Sequence, residues 1–403
     1  MKTIQRKSEL EKLLVLKDKN LIKVVTGVRR AGKSTLLLQF QELLKVNNPD
    51  VAIISINLDL PEFRLLAEQN WIEIYNFIIT RLNKNVTNYI FLDEIQNVHE
   101  FEKLLEGLFV TPNIDLYVTG SNAFLLSSEL ATLLTGRAFE INILPFSFSE
   151  YIECSEKKLN LDRAFSEYLR IGGFPEAIRL SEPGQNYAYE YVKTVFQNIY
   201  ENDIRKRHTI YYENSYHEVI HFLIDSIGST VSARNIASSL TSNGKKIDNK
   251  TVSKYIETLV ESFLFYKVNR YDIKGKQHLK TQEKYYAVDL GFRYALLGKE
   301  LVSDSGHLLE NIIYLELIRR NSQVWIGKTD QLEVDFVVRN KNGFTQYIQV
   351  AYSVKDQKTL DRELAPFSKI PDFNERILIT MDYENGSHNG VKQMNAIDWL
   401  LNL

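Results

Sequence analysis

The sequence of 403 residues predicts an α/β fold, and three observations support this prediction. First, an apolar strand-like segment runs into a glycine-lysine-serine turn and then into a leucine-rich helix-like segment, LIKVVTGVRRAGKSTLLLQF at residues 21–40. Second, another apolar segment ends in two adjacent carboxylates, Asp93 and Glu94. Third, further strand-like runs occupy residues 51–58 and 114–122. The chain is too long for one ordinary core, so roughly two to four domains are expected.

The composition excludes several classes of protein. A formal net charge of -2 gives no global attraction to nucleic acid or to an anionic membrane, so any such contact must be local. Cys154 is the single cysteine, which excludes an intrachain disulfide and suits a reducing compartment. The N-terminus alternates charged and aliphatic residues, unlike a signal peptide, and no run of about 18 apolar residues occurs. We therefore expect a cytoplasmic protein with no membrane partner.

The glycine-rich turn at residues 27–34 fits the pattern G-x-x-x-x-G-K-[ST] in full, between a strand and a helix in the required order. Its glycines let backbone N–H groups point at phosphate oxygens, and the following helix presents its positive end. We expect Lys33 to pair with the β- and γ-phosphates of ATP and Ser34 to hold Mg²⁺. At Arg29 and Arg30, solvated side chains are the competing interpretation. The expected nucleotide-binding residues are Gly27, Val28, Arg29, Arg30, Ala31, Gly32, Lys33, Ser34 and Thr35.

Hydrolysis needs a second feature, and the segment NYIFLDEIQ at residues 88–96 supplies it. An acidic pair at the end of a buried strand is costly unless a cation or a water chain uses it. We expect Asp93 to anchor Mg²⁺ and Glu94 to polarise the attacking water. The predicted reaction is hydrolysis of ATP to ADP and phosphate, with ATP and Mg²⁺ as the ligands.

Two later segments carry further candidates for the same site. A fourth strand, IDLYVTGSN at residues 114–122, ends in small polar residues. If it lies beside the strand of the glycine-rich turn, Asn122 or Ser121 would reach the γ-phosphate and its water, although both residue types are also common in turns. Arg137 precedes a fifth strand and could reach the γ-phosphate of a neighbouring subunit, with a surface salt bridge as the alternative.

These segments resemble a known family. The set TGVRRAGKST, YIFLDEIQ, VTGSNAFLL, LLTGRAFEINILPFSFSEY and YLRIGGFPEA is similar to the AAA-type predicted ATPases of bacteria and archaea. In that family an N-terminal AAA-like ATPase domain precedes a C-terminal domain of unknown function. The resemblance covers essentially the whole chain and implies an AAA-like parallel sheet with a small helical lid. It also implies that Arg137 faces outward, but it does not supply a substrate.

The middle of the chain changes to helix periodicity. Residues 161–170 and 189–200 predict helices of the lid. Beyond them, helix-like segments at 231–240 and 252–260, followed by two strand-like segments, predict a winged helix-turn-helix. Such a module binds DNA in some proteins and other proteins in many, so DNA is a candidate partner and not an established one.

The last hundred residues predict the order helix, three strands, helix and strand, which resembles the restriction-endonuclease-like fold. Glu310, Asp335 and Gln349 occupy the positions of metal-binding residues in such nucleases. Ala351 stands where a catalytic lysine is required, so nuclease activity is doubtful unless Lys355 or another group takes that place. We expect the three residues to converge, and to be matched by a cation such as Lys328 or Lys355 unless they bind Mg²⁺ weakly.

The predicted domains are 1–150 for the P-loop AAA-like ATPase, 151–210 for the lid, 211–300 for the winged helix and 301–403 for the endonuclease-like domain. The leading hypothesis is a Mg²⁺-dependent ATPase whose nucleotide state rearranges its C-terminal modules. The alternatives are a nucleotide-switched DNA-binding or adaptor protein with slow hydrolysis, and an ATP-dependent nuclease. A homo-oligomer is compatible with all three.

Overall fold

The structure is a computed structural model that describes residues 4–121, 136–155, 160–181, 184–242, 244–245, 247–298 and 305–402. Within these ranges, the side chains of residues 68, 69, 280 and 281 are not described. The chain divides into two compact units. The N-terminal unit comprises Lys2–Ile143 with Glu261–Phe263, and the C-terminal unit comprises Leu144–Val260 with Leu264–Leu403.

The N-terminal unit consists of five strands and the helices that flank them in sequence. The described helices are α1 (Lys7–Leu16), α2 (Lys33–Asn47), α3 (Pro61–Gln69), α4 (Trp71–Ile79) and α5 (Phe101–Val110), with a 3₁₀ turn at Ile95–Asn97. The strands are β1 (Ile22–Thr26), β2 (Ala52–Asn57), β3 (Asn88–Asp93), β4 (Ile114–Gly120) and β5 (Ala138–Asn142). Helices α3 and α4 were not predicted from the sequence.

The five strands form one parallel sheet in the order β2-β3-β4-β1-β5. All five residues of β1 are buried, including the polar residues Lys23 and Thr26, as is usual for a strand inside a parallel sheet. Strand β4 lies between β1 and β3, so the predicted placement beside the strand of the glycine-rich turn is confirmed. Because all strands run in the same direction, their carboxyl ends meet at one edge, and both sequence motifs lie there.

A buried ion pair joins two neighbouring strands of this sheet. Lys23 of β1 is fully buried, and its ammonium donates to the carboxylate of Asp115 on β4. The same ammonium donates to the carbonyl oxygen of Lys19 at 2.9 Å. Tyr117 also donates to Asp115, at 2.9 Å. A buried lysine needs partners of this kind, because removing its charge from water is otherwise costly.

The C-terminal unit begins with helices and continues into a large sheet. Its helices are α6 (Phe148–Cys154), α7 (Leu161–Ile171), α8 (Pro175–Arg179), α9 (Tyr187–Ile199), α10 (Glu213–Asp225), α11 (Ala233–Ser242), α12 (Asn249–Glu261), α13 (Gly291–Leu297), α14 (Ser305–Arg319), α15 (Gln357–Leu364) and α16 (Ala396–Leu401). A π-helical segment spans Tyr200–Arg205, and a 3₁₀ helix spans Ala365–Lys369. The strands are β6 (Thr230–Val231), β7 (Phe265–Asp272), β8 (Gln277–Ala287), β9 (Gln323–Thr329), β10 (Leu332–Arg339), β11 (Thr345–Val350), β12 (Glu375–Thr380), β13 (Gly386–His388) and β14 (Val391–Asn395).

These nine strands form one mixed sheet in the order β13-β14-β12-β11-β10-β9-β7-β8-β6. Strands β7 and β8 form the hairpin predicted as the wing, and β7 also pairs in parallel with β9. Strands from the segments 211–300 and 301–403 therefore share a single sheet. The α/β class, the parallel P-loop sheet and a C-terminal mixed sheet are as the sequence predicted. Strands β13 and β14 were not predicted. Among the described helices, none is both long and apolar enough to cross a membrane.

Candidate functional site

The glycine-rich turn connects the carboxyl end of β1 to the amino end of α2. Three of its residues have φ angles in the left-handed region: Gly27 at 135°, Arg30 at 68° and Gly32 at 101°. A side chain at Gly27 would place its Cβ 2.1 Å from the carbonyl oxygen of Ile143, so only glycine fits there. Backbone N–H groups in turns of this kind create a concavity that binds anions.

The ammonium group of Lys33 lies inside this turn. Only 3% of Lys33 is exposed, and its Nζ donates to the carbonyl oxygens of Gly27 at 3.0 Å and Val28 at 3.2 Å. A phosphate oxygen would be a stronger partner, because a hydrogen bond between two charged groups is roughly twice as strong as one between neutral groups. The lysine is therefore placed to exchange its backbone partners for an anionic ligand.

Arg6 contacts the same turn from the segment before α1, and the sequence analysis did not identify it. Its Nη2 donates to the carbonyl oxygen of Ala31 at 2.8 Å, and both residues are buried. In a planar trans peptide the C=O and the following N–H point in opposite directions. Holding the Ala31 carbonyl therefore also orients the N–H of Gly32. A single arginine before a helix belongs to no recognisable sequence motif, so only the structure reveals this contact.

Asp93, at the end of β3, faces the first turn of α2. Its Oδ1 accepts hydrogen bonds from the Ser34 hydroxyl at 3.0 Å and from the Thr119 hydroxyl at 2.5 Å. Burial raises the pKa of Asp93 above its usual value, although these two hydroxyl donors oppose the change. The two residues predicted to hold Mg²⁺ are thus in direct contact. Thr119 was not predicted, although it lies in the quoted segment of β4.

Glu94 follows Asp93, and hydrogen bonds to Thr119 and Gln96 hold it in place. Its backbone N donates to Thr119 Oγ1 at 2.8 Å, and its φ of 58° lies in the left-handed region. The side-chain amide of Gln96 donates to Glu94 Oε2 and, at 3.4 Å, to Ser121 Oγ. Burial alone would raise the pKa of Glu94, but the charges of Lys33 and Arg29 outweigh burial and lower it. The carboxylate is therefore ionised at neutral pH, as a group that accepts a proton must be.

The remaining predicted residues of the turn differ in exposure. Arg29 is half-buried, and its charge reaches Glu94. Arg30 and Thr35 are exposed. Asn122, predicted to sense the γ-phosphate, lies outside the described residues. Its alternative, Ser121, is fully buried beside Gln96, which brings it to the same edge of the sheet as Glu94.

Arg137 lies at the other edge of the parallel sheet. It precedes β5, whose first residue Ala138 pairs with Ile22 at the start of β1, whereas the glycine-rich turn follows Thr26. Four residues of strand correspond to roughly 13 Å at about 3.3 Å per residue. The exposed guanidinium of Arg137 lies 5.6 Å from the ring centre of Phe109. Any action of Arg137 on a nucleotide must therefore be on that of another chain.

The oxygen ligands at this edge fit a magnesium ion. Mg²⁺ prefers hard oxygen donors and is usually held by one or two protein side chains together with phosphate oxygens and water. The Ser34 hydroxyl and the Asp93 carboxylate supply two such donors 3.0 Å apart. Among the described residues, no cluster of three or more His, Cys, Asp and Glu side chains suits a metal ion.

The predicted C-terminal residues also converge. The backbone N of Asp335 donates to Gln349 Oε1 at 3.3 Å, and Lys284 Nζ lies 2.9 Å from Glu310 Oε1 and 3.7 Å from Asp335 Oδ1. The cation at this cluster is Lys284 of β8. Within the part of the chain that the structure describes, neither Lys328 nor Lys355 forms an ion pair with these acids, so the suggested partners were wrong.

The strand order, the glycine-rich turn and the adjacent acidic pair define a P-loop protein of the AAA type. Residues 19–152 match the family described as "AAA domain", and residues 162–302 match the one described as "Domain of unknown function (DUF8612)". An uncharacterized protein of Haemophilus influenzae is 36% identical over 405 residues, which cover 99% of this chain and 98% of that protein. The chain belongs to this family of bacterial and archaeal proteins, in which an AAA domain precedes a C-terminal domain of unknown function. The resemblance deduced from the sequence is thus confirmed.

Two more distant similarities agree with this assignment. An uncharacterized protein of Methanocaldococcus jannaschii is 28% identical over 370 residues, covering 87% of this chain and 78% of that protein. The fold is similar to that of the Walker-type ATPase PABY2304 of Pyrococcus abyssi, with a TM-score of 0.53 and 17% identity over 73% of this chain and 96% of that chain. At this identity the second similarity concerns the fold alone.

Proposed function

We propose that this protein is a Mg²⁺-dependent ATPase whose nucleotide state alters the arrangement of its C-terminal modules. One observation carries the catalytic part of the proposal: the buried cation of Lys33, the Ser34–Asp93 pair and the ionised Glu94 meet at one edge of the sheet. The similarity to a Walker-type ATPase in fold supports it.

Each residue has a distinct role in this proposal. The N–H groups of the glycine-rich turn and the Lys33 ammonium bind the β- and γ-phosphates and offset their charge. Ser34 and Asp93 would hold Mg²⁺, which supplies further positive charge at the phosphate oxygens when bound. Glu94 orients the attacking water and accepts its proton. Thr119 donates to Asp93 and accepts from the Glu94 backbone, so it fixes the Asp93 carboxylate relative to the backbone of Glu94.

Nucleotide binding must rearrange the hydrogen bonds of two side chains, Lys33 and Glu94. The hydrogen bonds from Lys33 to Gly27 and Val28 have to break before the ammonium can reach a phosphate. Gln96 donates to the carboxylate of Glu94 and thereby occupies one of its oxygens. We infer that the attacking water competes with the Gln96 amide as a hydrogen-bond donor to Glu94, which couples nucleotide binding to the position of the base.

Substitutions in the site test the proposal. Lys33→Ala should reduce ATP turnover at least 100-fold, because it removes the main cation at the phosphates. Glu94→Gln should bind ATP normally and still reduce turnover at least 100-fold, because an amide cannot accept the proton. Turnover is measured as phosphate release, and binding is measured with a fluorescent ATP analogue. Lys45→Ala is the matched control, since Lys45 is exposed on the same helix and pairs with Glu42.

The two substitutions test different parts of the proposal, the role of Glu94 and the role of the glycine-rich turn. Hydrolysis by Glu94→Gln at a rate near that of the unaltered protein would remove the role given to Glu94. Unchanged turnover in Lys33→Ala would show that the glycine-rich turn is not the catalytic phosphate site. Turnover with and without DNA, together with a sizing experiment, separates an ATPase that acts on DNA or on assembly from a slow nucleotide-switched adaptor.

A further inference from the structure

A polar cavity of about 580 Å³ lies within the C-terminal unit. Four acidic side chains line it, together with Lys284 on β8, Arg362 on α15 and His307 on α14: Glu310 on α14, Glu333 and Asp335 on β10, and Glu363 on α15. Acidic side chains from two helices and one strand thus face a lysine from another strand. The cavity is separate from the P-loop site, and the proposed ATPase activity does not use it.

Lys284 is the centre of this arrangement. Its Nζ lies 2.8 Å from Glu333 Oε1, 2.9 Å from Glu310 Oε1 and 3.7 Å from Asp335 Oδ1. The side chains of Lys284 and Glu310 are each 5% exposed, so these contacts are largely removed from water. One buried ammonium therefore serves three carboxylates.

Further hydrogen bonds hold the carboxylates around this ammonium. The Tyr286 hydroxyl donates to Glu310 Oε1 at 2.6 Å, and the backbone N of Val350 donates to Asp335 Oδ2 at 2.9 Å. The acids therefore have fixed positions, and they do not depend on the lysine alone for their orientation. Fixed oxygen donors around one cation are what a hard divalent ion requires.

The side-chain amide of Gln349 is already engaged in this region. Its Oε1 accepts from the backbone N of Asp335 at 3.3 Å, and its Nε2 donates to Glu363 Oε2 at 2.7 Å. Gln349 therefore orients two acids of the cavity. Ala351, two residues further along, contributes no charge, so the cation has to come from another strand.

Burial and charge act in opposite directions on Lys284, and two more basic side chains lie beside its acids: Arg270 at 3.6 Å from Glu333 and His307 at 3.6 Å from Glu310. Burial alone would lower the pKa of Lys284, but the three surrounding carboxylates outweigh burial and raise it above the usual value. Burial and the charge of Glu310 raise the pKa of Asp335 well above its usual range. The ammonium is therefore charged, and burial beside Glu310 disfavours the ionised form of Asp335.

We propose that Lys284 is a built-in cation that occupies the position a divalent metal ion would need, so that the native cavity excludes the metal. A divalent ion bridging Glu310 and Asp335 would have to lie close to the Lys284 ammonium, where like charges repel. Removal of the lysine leaves the carboxylates in place and opens a site for a hard divalent cation such as Mn²⁺. Metal-dependent cleavage of DNA in this cavity is accordingly absent from the native protein.

The test uses the full-length protein without nucleotide and Mn²⁺ as the probe. Free Mn²⁺ is measured by electron paramagnetic resonance during a titration, and the thermal unfolding midpoint is measured with and without Mn²⁺. We expect Lys284→Ala to bind one additional Mn²⁺ per chain and to have a higher unfolding midpoint with Mn²⁺ than without it. The unaltered protein should bind no additional Mn²⁺ in this cavity and should not be stabilised in this way. The double variant Lys284→Ala with Asp335→Asn should lose at least tenfold in Mn²⁺ affinity. Any Mn²⁺ held at the P-loop is common to all samples.

Two control variants make the result specific. Lys267→Ala removes a lysine of the neighbouring strand β7 that pairs at the surface with Glu283, and it should behave like the unaltered protein. Lys284→Arg retains a cation and should also bind no additional Mn²⁺. Circular dichroism and tryptophan emission establish whether each variant is folded.

Several outcomes would overturn the proposal. Binding of one Mn²⁺ by the unaltered protein that Asp335→Asn abolishes would show that metal and lysine coexist. A folded Lys284→Ala that binds no additional Mn²⁺ would show that the lysine is not in the place of a metal. A Lys284→Ala that folds neither with nor without Mn²⁺ counts against it too, since the metal then fails to replace the ammonium. Cleavage of plasmid DNA with Mg²⁺ or Mn²⁺ that disappears in Asp335→Ala would restore the nuclease hypothesis.

Discussion

Asp289 connects a glycine turn to the start of a helix in the C-terminal unit, and its ionisation should make stability depend on pH. Its Oδ2 accepts from the backbone N of Gly173 at 2.6 Å, and its Oδ1 accepts from that of Gly291 at 2.8 Å. A Cβ on Gly172 would lie 1.8 Å from Oδ1. The first glycine of the segment GGFPEA is thus required by the close approach of a buried carboxylate, and the second by the carbonyl oxygen of Phe146, 2.2 Å from a Cβ on Gly173. Asp289→Asn keeps its shape and removes its titration.

The expected magnitude follows from the environment of the carboxyl group. Burial raises the pKa of Asp289 to about 7, although the N–H donors of Gly173 and Gly291 oppose this. An aspartate in an unfolded chain has a pKa of about 3.9, so the difference corresponds to about 4 kcal/mol. The folded state binds the proton more tightly, so the stabilisation is complete below about pH 4 and is lost as the pH rises through about 7. Between pH 5 and pH 8 the expected loss is about 3 kcal/mol.

Urea unfolding at several pH values from 5 to 8 measures this loss. Trp71→Phe provides the background for the assay, because the other two tryptophans, Trp325 and Trp399, both lie in the unit that contains Asp289. In this background, the free energy of unfolding of Asp289→Asn should lack the decrease with pH that the titration of Asp289 causes. Its amide satisfies only one of the two N–H donors, so it should also be less stable at pH 5 by about 1–3 kcal/mol.

The test compares the free energies of unfolding of the two proteins at each pH. The free energy of unfolding with Asp289 minus that with Asn should fall by about 3 kcal/mol from pH 5 to pH 8. Asp361→Asn, at an exposed position of the same unit, is the control and should leave the pH dependence unaltered. A difference that stays constant within about 0.5 kcal/mol, or that grows toward pH 8, would refute the conclusion that burial governs this carboxyl group.

Arg6→Ala should raise the KM for ATP about tenfold with little change in kcat. It removes a hydrogen bond from a charged donor, which stabilises the conformation of the turn by about 1.5–3 kcal/mol. Lys7→Ala removes an exposed neighbouring charge and is its control, and an unchanged KM in Arg6→Ala would exclude a positioning role. Arg137→Ala should preserve ATP binding and lower turnover at least tenfold only in samples that self-associate, because this arginine lies at the sheet edge away from its own P-loop. Arg81→Ala, which removes an exposed arginine that also stacks on a phenylalanine ring, is the control. Equal turnover of Arg137→Ala and unaltered protein in an associated sample would rule out action in trans.

Most of the P-loop site could be predicted because its chemistry depends on residues adjacent in sequence. The glycine-rich turn needs left-handed backbone conformations at Gly27 and Gly32, and only a few residue types tolerate them. The acidic pair follows directly on an apolar strand. Thr119 and Gln96 were missed because a single hydroxyl or amide in a strand or turn has no distinctive spacing. Their roles depend on β3 and β4 lying side by side.

For the C-terminal cluster, the sequence predicted which acids meet but not the cation that pairs with them. The sequence predicted that Glu310, Asp335 and Gln349 would meet, because the order of helix and strands brings those positions together. It suggested the wrong cation, because the nearest lysines in sequence are not the nearest in space. Lys284 reaches the acids since the hairpin β7–β8 joins the same sheet as β9 and β10. Such a pairing between distant segments leaves no periodic signal in either of them.

The sequence by itself determined the class of protein, the nucleotide-binding turn and the acidic pair, because each rests on local backbone geometry and on the alternation of apolar and polar residues. The tertiary structure alone decided which distant side chains share a site: Arg6 with the turn, Asp289 with the glycines of GGFPEA, and Lys284 with three carboxylates. The physical reason is that burial and charge pairing act through space. A lysine or aspartate is removed from water only where the fold supplies its partner, and the chain sequence does not reveal that partner.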